Sequence, residues 1–248
     1  MEAIGPTAFI NIHSHHPGLP TDMSTFRLVN LKLEGEYNLG QEGQDRYSLG
    51  IHPWEVARLA KDNQVEQAID KVACAMEQRH IWAIGEIGID RQKRHQHSVD
   101  TQKQIFVQQL RLSIAHKRPV IIHAVRALSD ILYYKRNFAE VPAWIIHGFN
   151  SSAEEGEKLW RAGIYLSFGA SLFNLAMPAS RTLSAMPLDY LFLESDEQES
   201  YSIEAIYRQA AAILAISVNE LQEVIFSNFK RVFGAQMEEK GKKEKIIW

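Results

Sequence analysis

Two histidines one residue apart, His13 and His15, end the apolar run at residues 8–12. In a strand, side chains two apart share a face, so both imidazoles can reach one cation. A lone His-x-His is common by chance, but here it has company. Glu86 sits in Gly85-Glu86-Ile87-Gly88, directly after the apolar run Ile81-Trp82-Ala83-Ile84. His123 ends a run of Val120-Ile121-Ile122, His147 ends Trp144-Ile145-Ile146, and Asp196 comes just after Leu191-Phe192-Leu193. A single histidine in such a place is usually a hydrogen-bonded structural residue. Four of them with two carboxylates are harder to keep apart. Packed together without an ion, they would repel when protonated and lose hydration. A metal cluster resolves that conflict. The mix of imidazole and carboxylate suits zinc or manganese, and is poorer in oxygen donors than magnesium prefers.

Other residues carry two readings each. Glycines on both sides of Glu86 allow a tight turn or a close approach, which fits a carboxylate at a site mouth; the alternative is a Glu that caps the next helix. His52, in Gly50-Ile51-His52-Pro53-Trp54, is a pocket residue or a turn residue. The basic run Arg91-Gln92-Lys93-Arg94-His95-Gln96-His97 is a phosphate-binding rim beside Glu86 or a solvated loop. Lone Cys74 excludes an intramolecular disulfide and a cysteine zinc site, and reads as a small apolar filler on a helix.

The elements that must position these residues follow from periodicity. Short apolar runs predict strands at 8–12, 27–33, 47–51, 81–86, 118–122, 142–146, 163–168 and 189–193. Helical stripes predict helices over 63–78 and 98–116, a short one near Leu128 and Ile131, one opened by Ser151-x-x-Glu154 or Ser152-x-x-Glu155, and two closing helices. Ser217-x-x-Glu220 is a capping box for the last of them. There is no room for a full helix after strand one or strand two, and 34–44 reads as a turn-like run. Eight strands, most of the later ones followed by helices, predict a (β/α)8 TIM-type barrel. In that fold all parallel strands end on one rim, where the six residues would converge.

Composition narrows the function. The chain has 248 residues, 46% hydrophobic, enough for one sizeable core. A single barrel domain is expected, with a frayed tail from about residue 238. Net charge is −3, so any nucleic-acid binding must come from a local patch. No run reaches the length of a membrane span, and no basic-then-apolar start marks a signal peptide. A cytoplasmic setting and no membrane partner are the expectations.

The pieces IHSH, GIHPW, AIGEIGID, PVIIHAVRA, IIHGF, FLESD and NFKRVF, in this order over residues 9–233, resemble the TatD-type deoxyribonucleases, metal-dependent hydrolases of the amidohydrolase-like superfamily. That resemblance implies one or two divalent ions. His13, His15 and Asp196 would hold the first, with Glu86 bridging to a second held by His123 and His147. Asp196 would orient or deprotonate the attacking water, making Asp196 and Glu86 the catalytic carboxylates. Arg91, Lys93, Arg94 and Arg126 would hold the phosphates of a nucleic acid or a small phosphodiester, cleaved from the 3′ end. The chain departs from the family pattern at several places. Asn11 stands where the family has Asp. Glu197-Gln198-Glu199 replaces Ala-Pro after the last Asp. Arg126 is offset in HAVR, and Arg91 replaces an aromatic residue. The missing early helices make this a shortened member. Two other readings stay open: a hydrolase of a small amide or lactone, and a non-catalytic barrel serving as an interaction module.

Overall fold

The computed structural model describes residues 4–17, 24–35, 45–197 and 200–239. Eight strands, β1 (Phe9–Ser14), β2 (Thr25–Leu31), β3 (Arg46–Leu49), β4 (Ile81–Asp90), β5 (Val120–Val125), β6 (Trp144–Ile146), β7 (Ile164–Phe168) and β8 (Leu191–Leu193), run side by side in chain order. Every pairing is parallel. A bridge between Ser14 and Asp196 joins the last strand to the first, which gives the expected TIM-type barrel. Asn11 fastens the same seam: its Nδ2 donates to Ser195 Oγ (2.8 Å) and its Oδ1 accepts from Ser195 N (3.0 Å). The Asp-to-Asn departure thus falls on a residue that uses both ends of an amide.

Helices α1 (Val56–Lys61) and α2 (Val65–Met76) precede β4; α3 (Val99–His116), α4 (Leu128–Asn137), α5 (Ala153–Arg161) and α6 (Pro178–Ala185) follow later strands; α7 (Ile203–Leu214) and α8 (Val218–Glu239) close the chain. Helices α1 and α6 have no counterpart in the periodicity reading. Both are short, six and eight residues, too brief to show a full stripe. Among the described residues no helix lies between β1 and β3, as expected; residues 18–23 and 36–44, which hold most of the turn-like run, are outside them.

Local signals act where the sequence puts them. Ser152 is the cap of α5, accepting from Glu155 N at 3.3 Å. Ser217 and Glu220 cap α8 reciprocally, Glu220 Oε2 accepting from Ser217 N (2.8 Å) and Ser217 Oγ from Glu220 N (3.1 Å). Tyr207 of α7 is fully buried, and its hydroxyl donates to Ile10 O (3.2 Å) and accepts from Ile10 N (3.0 Å), locking the helix onto β1. Phe26, Trp82, Phe229 and Phe233 pack together with centroids 4.7–6.2 Å apart, a buried aromatic anchor for α8. Cys74 is exposed on α2 rather than packed as a filler, and no single helix is long and apolar enough to cross a membrane.

Strand β4 differs most from expectation. It does not stop at Glu86 but continues to Asp90, buried at all ten positions. Its pairing with β5 slips there: Ile84 faces Val120, yet Ile87 faces Ile122. The extra residue is a bulge, which re-aims a side chain without ending the strand. Gly88 makes the close packing possible. It has φ 149°, and a Cβ there would stand 1.9 Å from the His123 carbonyl oxygen.

Candidate metal centre

Glu86 is the hub of the barrel mouth. Its carboxylate lies within 3.8 Å of a ring nitrogen from each of five histidines: His13 (3.7 Å), His15 (3.6 Å), His52 (3.8 Å), His123 (3.8 Å) and His147 (2.6 Å). Asp196 Oδ1 adds a second carboxylate, 3.5 Å from His13 Nε2 and 3.4 Å from His15 Nε2. The six predicted ligands therefore meet in one place, from β1, the β4 bulge, β5 and the segments just past β1, β6 and β8. Asp196 reaches in from a left-handed backbone position, φ 54°.

The spacing fits metal ligands better than a hydrogen-bonded core. Donors held about 2.1 Å from one ion stand roughly 3.0–3.5 Å apart, and most of these separations are too long for hydrogen bonds. His13 is fully buried, and neither of its ring nitrogens has a hydrogen-bond partner, a cost that a cation would remove. One compact donor set is made by His13, His15 and Glu86. The residues present fit a divalent ion.

His52 resolves its two readings at once. Its Nδ1 accepts the backbone N–H of Trp54 at 3.1 Å, which shapes the turn. A neutral ring that accepts at Nδ1 carries its proton at Nε2, and that proton points at Glu86. Burial pushes the His52 pKa down to about 3 despite the pull of Glu86, so the ring is a neutral donor. Sequence reasoning had no way to choose the tautomer.

Two carboxylates behind the ligands were missed in the sequence. Asp90, fully buried, has Oδ2 3.4 Å from His123 Nε2 and accepts the Trp54 indole N–H at 2.6 Å. Burial opposes its ionisation, but the bonds from His123 and Trp54 outweigh burial and lower its pKa. Glu194, also buried, lies 3.7 Å from His147 Nδ1, with its Oε1 held by the N–H of Gly148 at 2.6 Å. Carboxylates of this kind fix the orientation of ligand imidazoles. The available signal was an acidic residue at the end of β4 and another just after β8.

Charges around Glu86 are tuned in concert. Burial raises the Glu86 pKa, but His147 and His13 outweigh it and hold the carboxyl well below the usual range. Asp196 is also lowered, because the imidazoles of His13 and His15 beside it outweigh burial. Burial works against charge on His147, and Glu86 with Glu194 more than reverses it. Glu86 and Asp196 are thus both ionised at neutral pH.

The predicted phosphate-binding residues are placed differently. None of Arg91, Lys93, Arg94 and Arg126 lines the cavity of about 310 Å³ above Glu86. Arg91 is clamped by Asp130 through two bonds, 2.7 and 2.9 Å. Lys93 is exposed on a 3-10 turn, and the Arg94 guanidinium lies 4.8 Å over the Trp54 ring. Arg126, exposed at φ 54°, faces a neighbouring cavity of about 620 Å³ that shares His147 as a wall. The cavity above Glu86 is lined instead by Asn30, Lys32, Trp54, Glu55 and Glu197 as well as the ligands. Gln198 and Glu199 lie outside the described residues.

Residues 27–234 match the model of the TatD-related DNase family. YabD of Bacillus subtilis, named an uncharacterized metal-dependent hydrolase, is 27% identical over 200 residues, covering 75% of this chain and 76% of YabD. YcfH of Escherichia coli, named likewise, is 25% identical over 209 residues, covering 79% and 76%. The crystal structure of YjjV, a TatD homologue from Escherichia coli, superposes with a TM-score of 0.75 at 19% identity, covering 93% of this chain and 99% of YjjV. A TatD-family hydrolase from Entamoeba histolytica gives 0.71 at 17% identity, covering 92% and 98%. With the family model spanning most of the barrel, this chain belongs to the TatD-related DNase family.

Proposed function

We propose that the chain is a metal-dependent hydrolase that cleaves phosphodiester bonds, working as a deoxyribonuclease from the 3′ end with two divalent ions. The observation that carries this reading is the convergence of five imidazoles and Asp196 around the single carboxylate of Glu86. His13, His15 and Asp196 would hold one ion, His123 and His147 the other, with Glu86 between them. Zinc or manganese suits these donors better than magnesium. When bound, the ions supply Lewis-acid polarisation of the phosphoryl oxygens. Asp196 Oδ1 accepts a proton from the attacking water, a role open to it because its carboxyl stays ionised. His52 donates from Nε2 toward a substrate oxygen. The second cavity beside His147, with Arg126 at its edge, gives a strand of single-stranded DNA a second place to lie.

A second reading, hydrolysis of a small amide or lactone, is favoured by Glu197, which lines the cavity and would repel a phosphate. One experiment addresses both. Metal content is measured by mass spectrometry. Hydrolysis of bis(p-nitrophenyl) phosphate is then assayed with zinc, manganese, magnesium or no metal, followed by 5′-labelled single-stranded DNA. One to two bound ions with metal-dependent turnover and a ladder shortened from the 3′ end is the expected result. Metal-dependent cleavage of amides or lactones alone would move the assignment to the second reading. Neither metal nor turnover would overturn both.

A further inference from the structure

Five large hydrophobic side chains among the described residues are exposed, and of these Trp54 alone lines the cavity above Glu86. It is 47% exposed, whereas Trp82 and Trp144 are buried. Exposure of this kind usually goes with a loose side chain. Trp54 is the reverse: its indole N–H is tied to buried Asp90 at 2.6 Å and its backbone N–H to His52 Nδ1 at 3.1 Å. The ring stands edge-on to His52 and His123, with centroids 4.8 and 5.6 Å away. Arg94 lies over the ring at 4.8 Å, and His95 is parallel to it at 5.5 Å and 12°. Neither Arg94 nor His95 lines the cavity, whereas Trp54 lines it and stays 47% exposed, so indole surface remains open to that space.

An indole held in a fixed plane at the edge of the cavity, one ring away from a ligand histidine, is a pre-organised stacking surface. Aromatic side chains bind the faces of unpaired bases in this way, with little preference among bases.

We propose that Trp54 is a specificity-determining residue on which the base of the terminal nucleotide stacks, placing its phosphate over Glu86. The enzyme then discriminates base-bearing ends from bare sugar phosphates. This inference rests on the phosphodiesterase reading. Asp90 serves it from below, since the same carboxylate oxygen faces both His123 and the indole.

The test compares two single-stranded oligonucleotides that differ only in the 3′-terminal nucleotide, one normal and one abasic. The wild-type enzyme is expected to favour the base-bearing end about tenfold in kcat/KM, mostly through KM. Trp54→Leu should bring the ratio near one, while Trp54→Phe, which keeps a ring but loses the bond to Asp90, should retain most of it. Because the readout is a ratio, a general loss of activity cancels. Calorimetry with deoxyadenosine monophosphate against deoxyribose 5-phosphate reads the same preference without turnover. A wild-type ratio near one, or a preference that survives Trp54→Leu, overturns the proposal. Absence of cleavage of either oligonucleotide, with the binding preference intact and lost in Trp54→Leu, overturns only the nuclease reading and keeps the stacking surface.

Discussion

The two sides of the barrel mouth are built on different principles. On the β5–β6 side, His123 has Asp90 at 3.4 Å and His147 has Glu194 at 3.7 Å, both carboxylates fully buried. On the β1–β8 side, His13 has no hydrogen-bond partner at either ring nitrogen. Behind His15 stands exposed Glu197, 4.0 Å from its outer nitrogen. Each side holds buried ring nitrogens without a hydrogen-bond partner, Nδ1 of His147 on the first and both nitrogens of His13 on the second, but only the first has buried carboxylates behind its imidazoles. The difference teaches that two ligand sets drawn from one rim need not share one affinity. The backed side should bind its ion more tightly and keep it longer.

The largest expected effect belongs to the group both sides share. Glu86→Ala should abolish hydrolysis, by at least about a thousandfold, and empty both sides, with circular dichroism still reporting the barrel. Near-normal turnover would break the idea of a shared hub. Next, His13→Ala should lower the metal count by one ion and leave the β5–β6 ion in place. Loss of both ions together would show that the two sides bind as one unit. Asp90→Asn sharpens the comparison from the other direction: it should weaken binding at the backed side by about 10–100-fold, read by competition with a fluorescent chelator. An unchanged affinity would mean that Asp90 serves Trp54 alone.

Acidity separates the metal-free and loaded states. In the metal-free protein, burial works against charge on His15, His123 and His147. Their carboxylate neighbours outweigh it and raise all three above 6.5. Raised values mean that these histidines contribute stability fully below the unfolded value of about 6.5, and lose it as pH rises through the folded values. Glu86 and Asp196 are lowered, so their contribution is present above roughly pH 4 and lost in acid. Metal binding has the opposite sense to the histidine effect, because ligands must shed protons. Between pH 6 and 8, then, the melting temperature of chelator-treated protein should fall while metal affinity rises. A metal-free melting temperature that climbs over this range would refute the coupling.

The smallest effect is away from the centre. The bond from Arg91 is the chief cause that lowers the Asp130 pKa. This pair therefore adds stability above about pH 4 and loses it as pH falls through the depressed value. Asp130→Ala should cost only about 0.5–1 kcal/mol in urea unfolding at pH 7. It should also free Arg91, and any gain in DNA affinity would show that the pairing restrains a phosphate contact.

Much of this architecture is written locally. Apolar runs of three to five residues mark the strands, and Ser152, Ser217 and Glu220 mark helix starts by their own bonds. The six ligands are legible because each follows such a run. What stayed hidden depends on partners far along the chain. Glu86 extends β4 rather than ending it, since the bulge exists only against β5. Asp90 gains meaning from Trp54, 36 residues earlier, and Arg91 loses its expected role to Asp130, 39 residues later. The tautomer of His52 is fixed by one backbone N–H. None of these leaves a periodic trace.

The seam made by Asn11 and Ser195 joins residues 184 positions apart, and Asp196 is its neighbour. During synthesis, at about 5–20 residues per second, His13 and His15 emerge roughly 10–40 seconds before that carboxylate exists. A growing chain thus carries those imidazoles well before the carboxylate that meets them, and the mouth of the barrel is completed last, when the final strand is laid against the first.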